Sequence, residues 1–234
     1  MKIIAEAGVN HNGNLNKAVE MVKAASEARA QYVKFQFYYP DILCVNRNNF
    51  DAYKLLDKVK MHPHWIPILA EECKRAGIEF LCTAFCPYSV EMIAPYVNMF
   101  KIASPEVADL NFIKEVAKYG KPLILSTGKV GDRELDKIFD NITNEIILLY
   151  CVSKYPSTES DYNLDEMERL RRRYGVKVGL SSHCKDIKVS LEAAKLGASF
   201  IEQHFMLERG CPDEPVSLFP WELKKLTEET RWKT

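Results

Sequence analysis

Short apolar runs alternate with amphipathic stretches eight times along this chain, and that alternation limits the fold more than any other feature. The runs are Ile3–Ala5, Tyr32–Phe37, Phe80–Ala84, Met99–Ala103, Pro122–Ser126, Ile146–Val152, Lys177–Leu180 and Phe200–Gln203. Helical periodicity follows each run. It is predicted over about Leu15–Ala28, with Asn14 as N-cap, and over Pro63–Arg75, with Gly77 as a stop. Further helices are predicted from near Ser89, after Asp109, from near Arg133 and Leu164, after Asp186, and from Pro220 to the end. Strands alternating with helices imply parallel pairing with helical crossovers. Eight such units closing on themselves give an α/β fold, the (β/α)₈ TIM barrel, whose functional groups gather at the C-terminal strand ends. A chain of 234 residues fits one such domain, so residues 1–234 read as a single barrel. The alternative is an open doubly wound sheet; against it, GVNHNG after the first strand lacks the GxGxxG spacing. The polar segment Tyr38–Met61 is too long for an ordinary connection and reads as an elaborated loop over the active face.

The charge balance narrows the partners. Lys+Arg and Asp+Glu are both 32, so nothing points to nucleic acid or an acidic membrane surface. Arg171, Arg172 and Arg173 fall at a predicted helix end, where solvation suffices as their role. No apolar run approaches the ~20 residues of a membrane span, and the N-terminus opens directly into a strand without a signal-like segment. The seven cysteines are scattered without a CxxC pair, which points to reduced thiols and a cytoplasmic protein. Cys82 and Cys86 lack the second pair of a zinc site and read as core or near-site thiols.

Side chains alternate along a strand, so parity separates the barrel lumen from the helix-facing layer. Lys34 and Gln36 lie opposite Val33, Phe35 and Phe37 and so point inward. Lys101 lies opposite Phe100 and Ile102, with Ser104 and Glu106 just beyond. The same parity sends Glu202 and His204, and Ser181 and His183, to the lumen. Glu6, Thr83, Ser126, Ser153 and Tyr155 stand at the other strand ends. One buried lysine without a partner costs several kcal/mol, and parity places two there. Either they pair with Glu6, Glu106 and Glu202 in a structural network, or they bind an anion. Two lysines among five hydroxyls suit a phosphate and a carboxylate. His183 and His204, brought to one rim by a strand–helix–strand unit, suit a divalent metal with open positions.

IAEAGVNHNG, VKFQ, FLCTAF, FKIASPE, KPLILSTGK, CVSKYP, VGLSSH and IEQHF occur in order on the eight strands. With these motifs the chain resembles the sialic acid (N-acetylneuraminate) synthase family from about Ile3 to Leu226. That family condenses phosphoenolpyruvate with an acylated amino sugar, typically N-acetylmannosamine, to a nine-carbon 2-keto-3-deoxy acid and phosphate, on a (β/α)₈ barrel with a divalent metal, usually Mn²⁺. The resemblance implies that His183 and His204 bind the metal. It implies that Lys34, Thr83, Lys101, Ser104, Ser126, Ser153 and Ser181 hold phosphoenolpyruvate, and that Gln36, Tyr155 and Asp213 touch the sugar. Glu6 and Glu106 would lie by the reacting carbons, with Lys34 and Lys101 compensating the leaving phosphate.

The chain departs from the family pattern in places. Ser182 stands where the family has aspartate, which bears on metal affinity. Gln203 stands where it has lysine, on the face that parity turns away from the lumen. Ser153 replaces a more usual amide or acid. The resemblance covers the barrel and not the small C-terminal antifreeze-like domain of the family, so the choice between a homodimer and a separate partner subunit stays open. Two other functions fit the same residues: a divalent-metal aldolase acting on a 2-keto acid, and a non-catalytic barrel that binds a sugar or phosphoenolpyruvate.

Overall fold

The computed structural model describes residues 1–44 and 50–231. Strands β1 (Lys2–Gly8), β2 (Tyr32–Phe37), β3 (Glu79–Ala84), β4 (Phe100–Ile102), β5 (Leu123–Ser126), β6 (Ile146–Cys151), β7 (Lys177–Ser182) and β8 (Phe200–His204) pair in parallel in chain order. β8 closes against β1, from Lys2 beside Phe200 to Glu6 beside His204. The closed barrel expected from the alternation is the fold, and the open doubly wound sheet is excluded.

The helices are α1 (Leu15–Glu27), α2 (Pro40–Cys44), α3 (Phe50–Val59), α4 (Trp65–Ala76), α5 (Pro87–Ile93), α6 (Ser104–Val107), α7 (Leu110–Ala117), α8 (Asp132–Asn141), α9 (Asp165–Tyr174), α10 (Lys188–Lys195) and α11 (Pro220–Arg231). Two 3₁₀ turns, Glu159–Asp161 and Glu214–Val216, follow β6 and β8. Local chemistry sets several of these ends. Asn14 caps α1 by accepting from the Lys17 N–H, Asp109 caps α7 through the Asn111 and Phe112 N–H groups, and α4 stops at Gly77.

Parity divides the core into two layers. Val33, Phe35 and Phe37 of β2 face the helices and join the large shell between strands and helices. Tyr32 faces inward and packs with Ile4, Leu81, Ile124, Ile147, Leu149 and Phe200 to fill the lower lumen. Apolar layers plug the barrel from below, so a cavity remains only at the C-terminal end of the strands.

Two expectations change. The segment 38–61 is not an irregular loop: α2 and α3 lie within it, while its residues 45–49 fall outside the described chain. Its amphipathic half folds because Tyr38 and Val59 bury against Val9, flanked by Leu43, Leu56 and Phe85. Val9 and Phe85 follow β1 and β3, so the segment does lie over the rim where parity places the polar groups. Second, β4 is only three residues long, and α6 begins at once after it. Pro105 in its first turn favours that start. Ser104 and Glu106, expected just beyond the strand, therefore sit on a helical turn. The last helix runs as expected to Arg231, and the expected residues 232–234 lie outside the described chain.

Candidate active site

A cavity of about 240 Å³ opens at the C-terminal end of the barrel. Its floor is a charge network built by neighbouring strands. Glu6 of β1 is in register with Lys34 of β2, and their side chains meet at 2.7 Å. Lys34 also donates to Thr83 Oγ1 at 2.9 Å and lies 3.7 Å from Glu202. Lys101 donates to Ser126 Oγ at 2.7 Å and lies 3.7 Å from the other oxygen of Glu202. Ser181, in register with Glu202, donates to it at 3.0 Å. Gln36 Nε2 donates to Glu6 Oε1 at 2.9 Å. Gly8, with φ of +52°, sits over this corner. A Cβ there would come within 2.8 Å of Asp213 Oδ2 and 3.4 Å of Glu6 Oε1, so only glycine both takes the left-handed turn and lets the carboxylates close in.

Burial makes these charges consequential. Lys34, Lys101, Glu6 and Glu202 are each at most 4% exposed. Burial disfavours the charge on Lys34, but Glu202 and Glu6 outweigh it and hold the ammonium above its ordinary pKa. Lys101 has only the longer contact to Glu202, and burial wins, pulling its pKa down. Burial pushes the Glu202 carboxyl up, yet Lys101 and Lys34 together keep it below the carboxylate range.

The two histidines stand beside this network, their rings 5.7 Å apart and nearly perpendicular. His183 Nδ1 donates to the Val152 carbonyl at 2.7 Å, which leaves Nε2 as the acceptor. The Tyr155 hydroxyl fills that position at 2.7 Å, its ring stacked on the imidazole at 3.9 Å. Burial, aided by His204, lowers the His183 pKa to about 4, so at neutral pH it is an uncharged imidazole. Burial opposes charge on His204 too, but Asp213 Oδ2, 3.2 Å from Nδ1, leaves its pKa raised. Behind the rim, the Tyr162 hydroxyl accepts from the His183 N–H at 2.8 Å and meets Ser157 Oγ at 2.9 Å.

Among the described residues, no three His, Cys, Asp or Glu side chains converge as a ready metal cage. The donor set instead fits an open two-ligand site. His183 is neutral, with Nδ1 anchored on a carbonyl as metal-binding imidazoles usually are, and Nε2, the nitrogen a metal would use, is bonded to the Tyr155 hydroxyl.

Twelve of the residues expected at the site line the cavity: Glu6, Lys34, Gln36, Thr83, Lys101, Ser104, Ser126, Ser153, Tyr155, Ser181, His183 and His204. Glu106 and Asp213 do not; Asp213 stands against His204, and Glu106 is on α6. The structure adds residues that sequence reasoning left unassigned. Glu202 joins both lysines, and its signal was its shared parity with His204. Cys151, the last residue of β6, lines the cavity as well. Phe85 and Lys129 come from loops, where no periodicity marks them.

A profile of the NeuB family matches residues 21–233. The chain belongs to the NeuB family. It is 34% identical to the N,N'-diacetyllegionaminic acid synthase of Campylobacter jejuni, over 98% of this chain and 75% of that protein. Identity is also 34% to the pseudaminic acid synthase of that organism, over 91% of this chain and 67% of the relative. Among solved structures it is similar to the N-acetylneuraminic acid (sialic acid) synthetase of Leptospira borgpetersenii, crystallised with citrate, at a TM-score of 0.94 and 34% identity. That match covers 98% of this chain and 82% of the other. In this NeuB-family chain both outward-facing departures are neutral and hydrogen-bonded. Ser182 Oγ accepts from the Cys184 N–H at 3.2 Å. Gln203, beside Ser182 in register, accepts from Ser190 and donates to the Cys184 carbonyl, on the helix side as parity predicts.

Proposed function

We propose that this protein condenses phosphoenolpyruvate with the open-chain aldehyde of an acylated amino sugar, giving a nonulosonic (sialic-acid-type) 2-keto-3-deoxy acid and inorganic phosphate. One observation carries the reading: two buried lysines, their hydroxyl partners and two cavity-facing histidines meet at one barrel mouth. The family's named synthases are consistent with that chemistry.

The residues divide the work by position. Lys34 and Lys101, with Thr83, Ser104, Ser126, Ser153 and Ser181, hold the anionic groups of phosphoenolpyruvate. Glu6 and Glu202 face the carbon that becomes positive when the enol attacks the aldehyde, and their charge stabilises it. By the family resemblance Glu106, in the α6 turn that follows β4, would orient the water that adds to that carbon. As the phosphate departs, Lys101 gains an anionic partner, and its lowered pKa makes it the lysine with most to gain from one. Gln36, Tyr155 and Asp213 lie on the side given to the sugar. His183 and His204 would hold a divalent metal, Mn²⁺ by the family resemblance, which when bound supplies Lewis-acid polarisation of the aldehyde. The Tyr155 hydroxyl, bonded to His183, would be released to face the acceptor if a metal were held there. Free thiols among the described cysteines and the absence there of any helix long and apolar enough to cross a membrane agree with a cytoplasmic enzyme.

The test is turnover with phosphoenolpyruvate and Mn²⁺ against aldoses carrying one or two acylamino groups, reading phosphate and 2-keto-3-deoxy acid together. Both products should appear in equal amounts with at least one acceptor. Reversible cleavage of a 2-keto acid without phosphate would identify an aldolase instead, and phosphoenolpyruvate binding without turnover would identify a binding barrel.

A further inference from the structure

Charge accounting around the cavity leaves one group over. Glu6 and Glu202 balance Lys34 and Lys101, so the floor is neutral before any ligand enters. Phosphoenolpyruvate brings roughly two and a half to three negative charges at neutral pH, from its phosphate and its carboxylate. Among the described residues, Lys129 is the one charged side chain lining the cavity that has neither an ion pair nor a hydrogen bond. It is exposed at the mouth, in the turn between β5 and α8.

The turn fixes where Lys129 stands. The Thr127 N–H donates to the Leu149 carbonyl at 3.0 Å, and the Val130 N–H closes the turn on the Thr127 carbonyl at 3.2 Å. Gly128 presses against the end of β6. A Cβ there would lie 2.5 Å from Ser153 Oγ and 3.0 Å from the Cys151 carbonyl. Lys129 is thereby held on the side of the cavity where Ser126 binds Lys101 and Ser153 supplies a hydroxyl. The carboxylates Glu6 and Glu202 come from β1 and β8, across the barrel, as do the histidine His204 and its partner Asp213. On this side the cavity's charged groups are the cations Lys101 and Lys129.

We propose that Lys129 is a third cation for the substrate phosphate, closing on it from the rim opposite the acceptor. The inference rests on the synthase reading and assigns its phosphate a place: between Lys101 below and Lys129 above, with Ser126 and Ser153 at its flanks. Because Lys129 is exposed and unpartnered, it costs no buried charge when the site is empty, unlike the two lysines beneath it.

Lys129→Met keeps length and removes charge; Lys129→Arg restores charge. Binding of phosphoenolpyruvate and of inorganic phosphate to the Mn²⁺-loaded protein is measured by titration calorimetry for all three forms, with KM for each substrate alongside. Lys129→Met is expected to weaken both ligands about tenfold, to leave the acceptor KM and the melting temperature unchanged, and to flatten the salt dependence of binding. Lys129→Arg is expected to recover most of the loss. Unaltered phosphoenolpyruvate and phosphate affinity in Lys129→Met, or a rise confined to the acceptor KM, overturns the assignment while leaving the synthase reading intact. Lys129-dependent binding without turnover supports the assignment and sinks the synthase reading. A folded wild type that binds neither ligand overturns both.

Discussion

Glu202 shows how much can hang on a side chain that sequence reasoning treats as one partner among several. It lies 3.7 Å from both Lys34 and Lys101 and accepts from Ser181. Glu202→Gln keeps the shape and removes the charge, leaving Lys34 paired with Glu6 alone and Lys101 without its carboxylate. The loss is expected to be about 3 kcal/mol or more in denaturant unfolding, the cost of breaking a buried pair. Adding Lys101→Met should recover part of it, and a double mutant no more stable than Glu202→Gln would break the link between the two. A second residue-scale prediction concerns pH. Burial lowers His11 to about 4, as it does His183. The unfolded chain then binds protons that the folded one refuses between pH 6.5 and about 4. The share of stability that these two histidines govern is therefore complete above pH 6.5 and falls as pH drops through that window, by about 3 kcal/mol for each histidine at the acid end. His11→Asn, at a position that does not line the cavity, should remove roughly half of that slope in unfolding measured across pH; an unchanged slope would show that other groups govern it.

Among the elements, caps and short turns matter more than long helices. Asp109 accepts two N–H groups at the start of α7, directly after the turn that carries Ser104 and Glu106. Asp109→Ala is expected to lower stability by about 1 kcal/mol and to leave kcat within about twofold, because Asp109 is exposed and does not line the cavity. A large fall in kcat with little change in stability would mean that α6 depends on α7 for its placement. The eight strands and most helices were legible because their periodicity is strong. The exceptions have physical causes. In α3, Lys54, Lys58 and Asp57 dilute the apolar signal, and the helix is decided by Tyr38 and Val59 packing over the rim. In α6 four residues are too few for any period to show.

At the scale of the molecule, the barrel separates stability from chemistry. Leu81 is fully buried in the lower lumen, below the charged floor. Leu81→Ala should cost about 2–5 kcal/mol through the cavity it leaves, read as a lower denaturation midpoint, with smaller effects on KM than any change at Lys34 or Lys101. The proposed metal is expected to behave oppositely. Barrel closure uses backbone pairing from β1 round to β8, so removal of the proposed metal by chelation is expected to abolish turnover, reversibly with Mn²⁺, while shifting the melting temperature by only a few degrees. Unfolding on chelation would make the metal structural instead.

What this sequence determined by itself was the sequence of strands, and through parity the set of side chains turned inward. Both follow from local rules: a two-residue period on strands and burial of apolar faces. Lys34, Lys101, His183 and His204 were therefore placed at one mouth without coordinates. Which of those groups touch was decided only by the closed barrel. Glu202 between the lysines, Asp213 on His204 rather than on the cavity wall, and Tyr155 on His183 depend on strand register and on loops that cross the rim. Lys129 belongs to the same class, because a turn has no period. Its position is set by the contact of Gly128 with the end of β6, between residues that only the folded chain brings together.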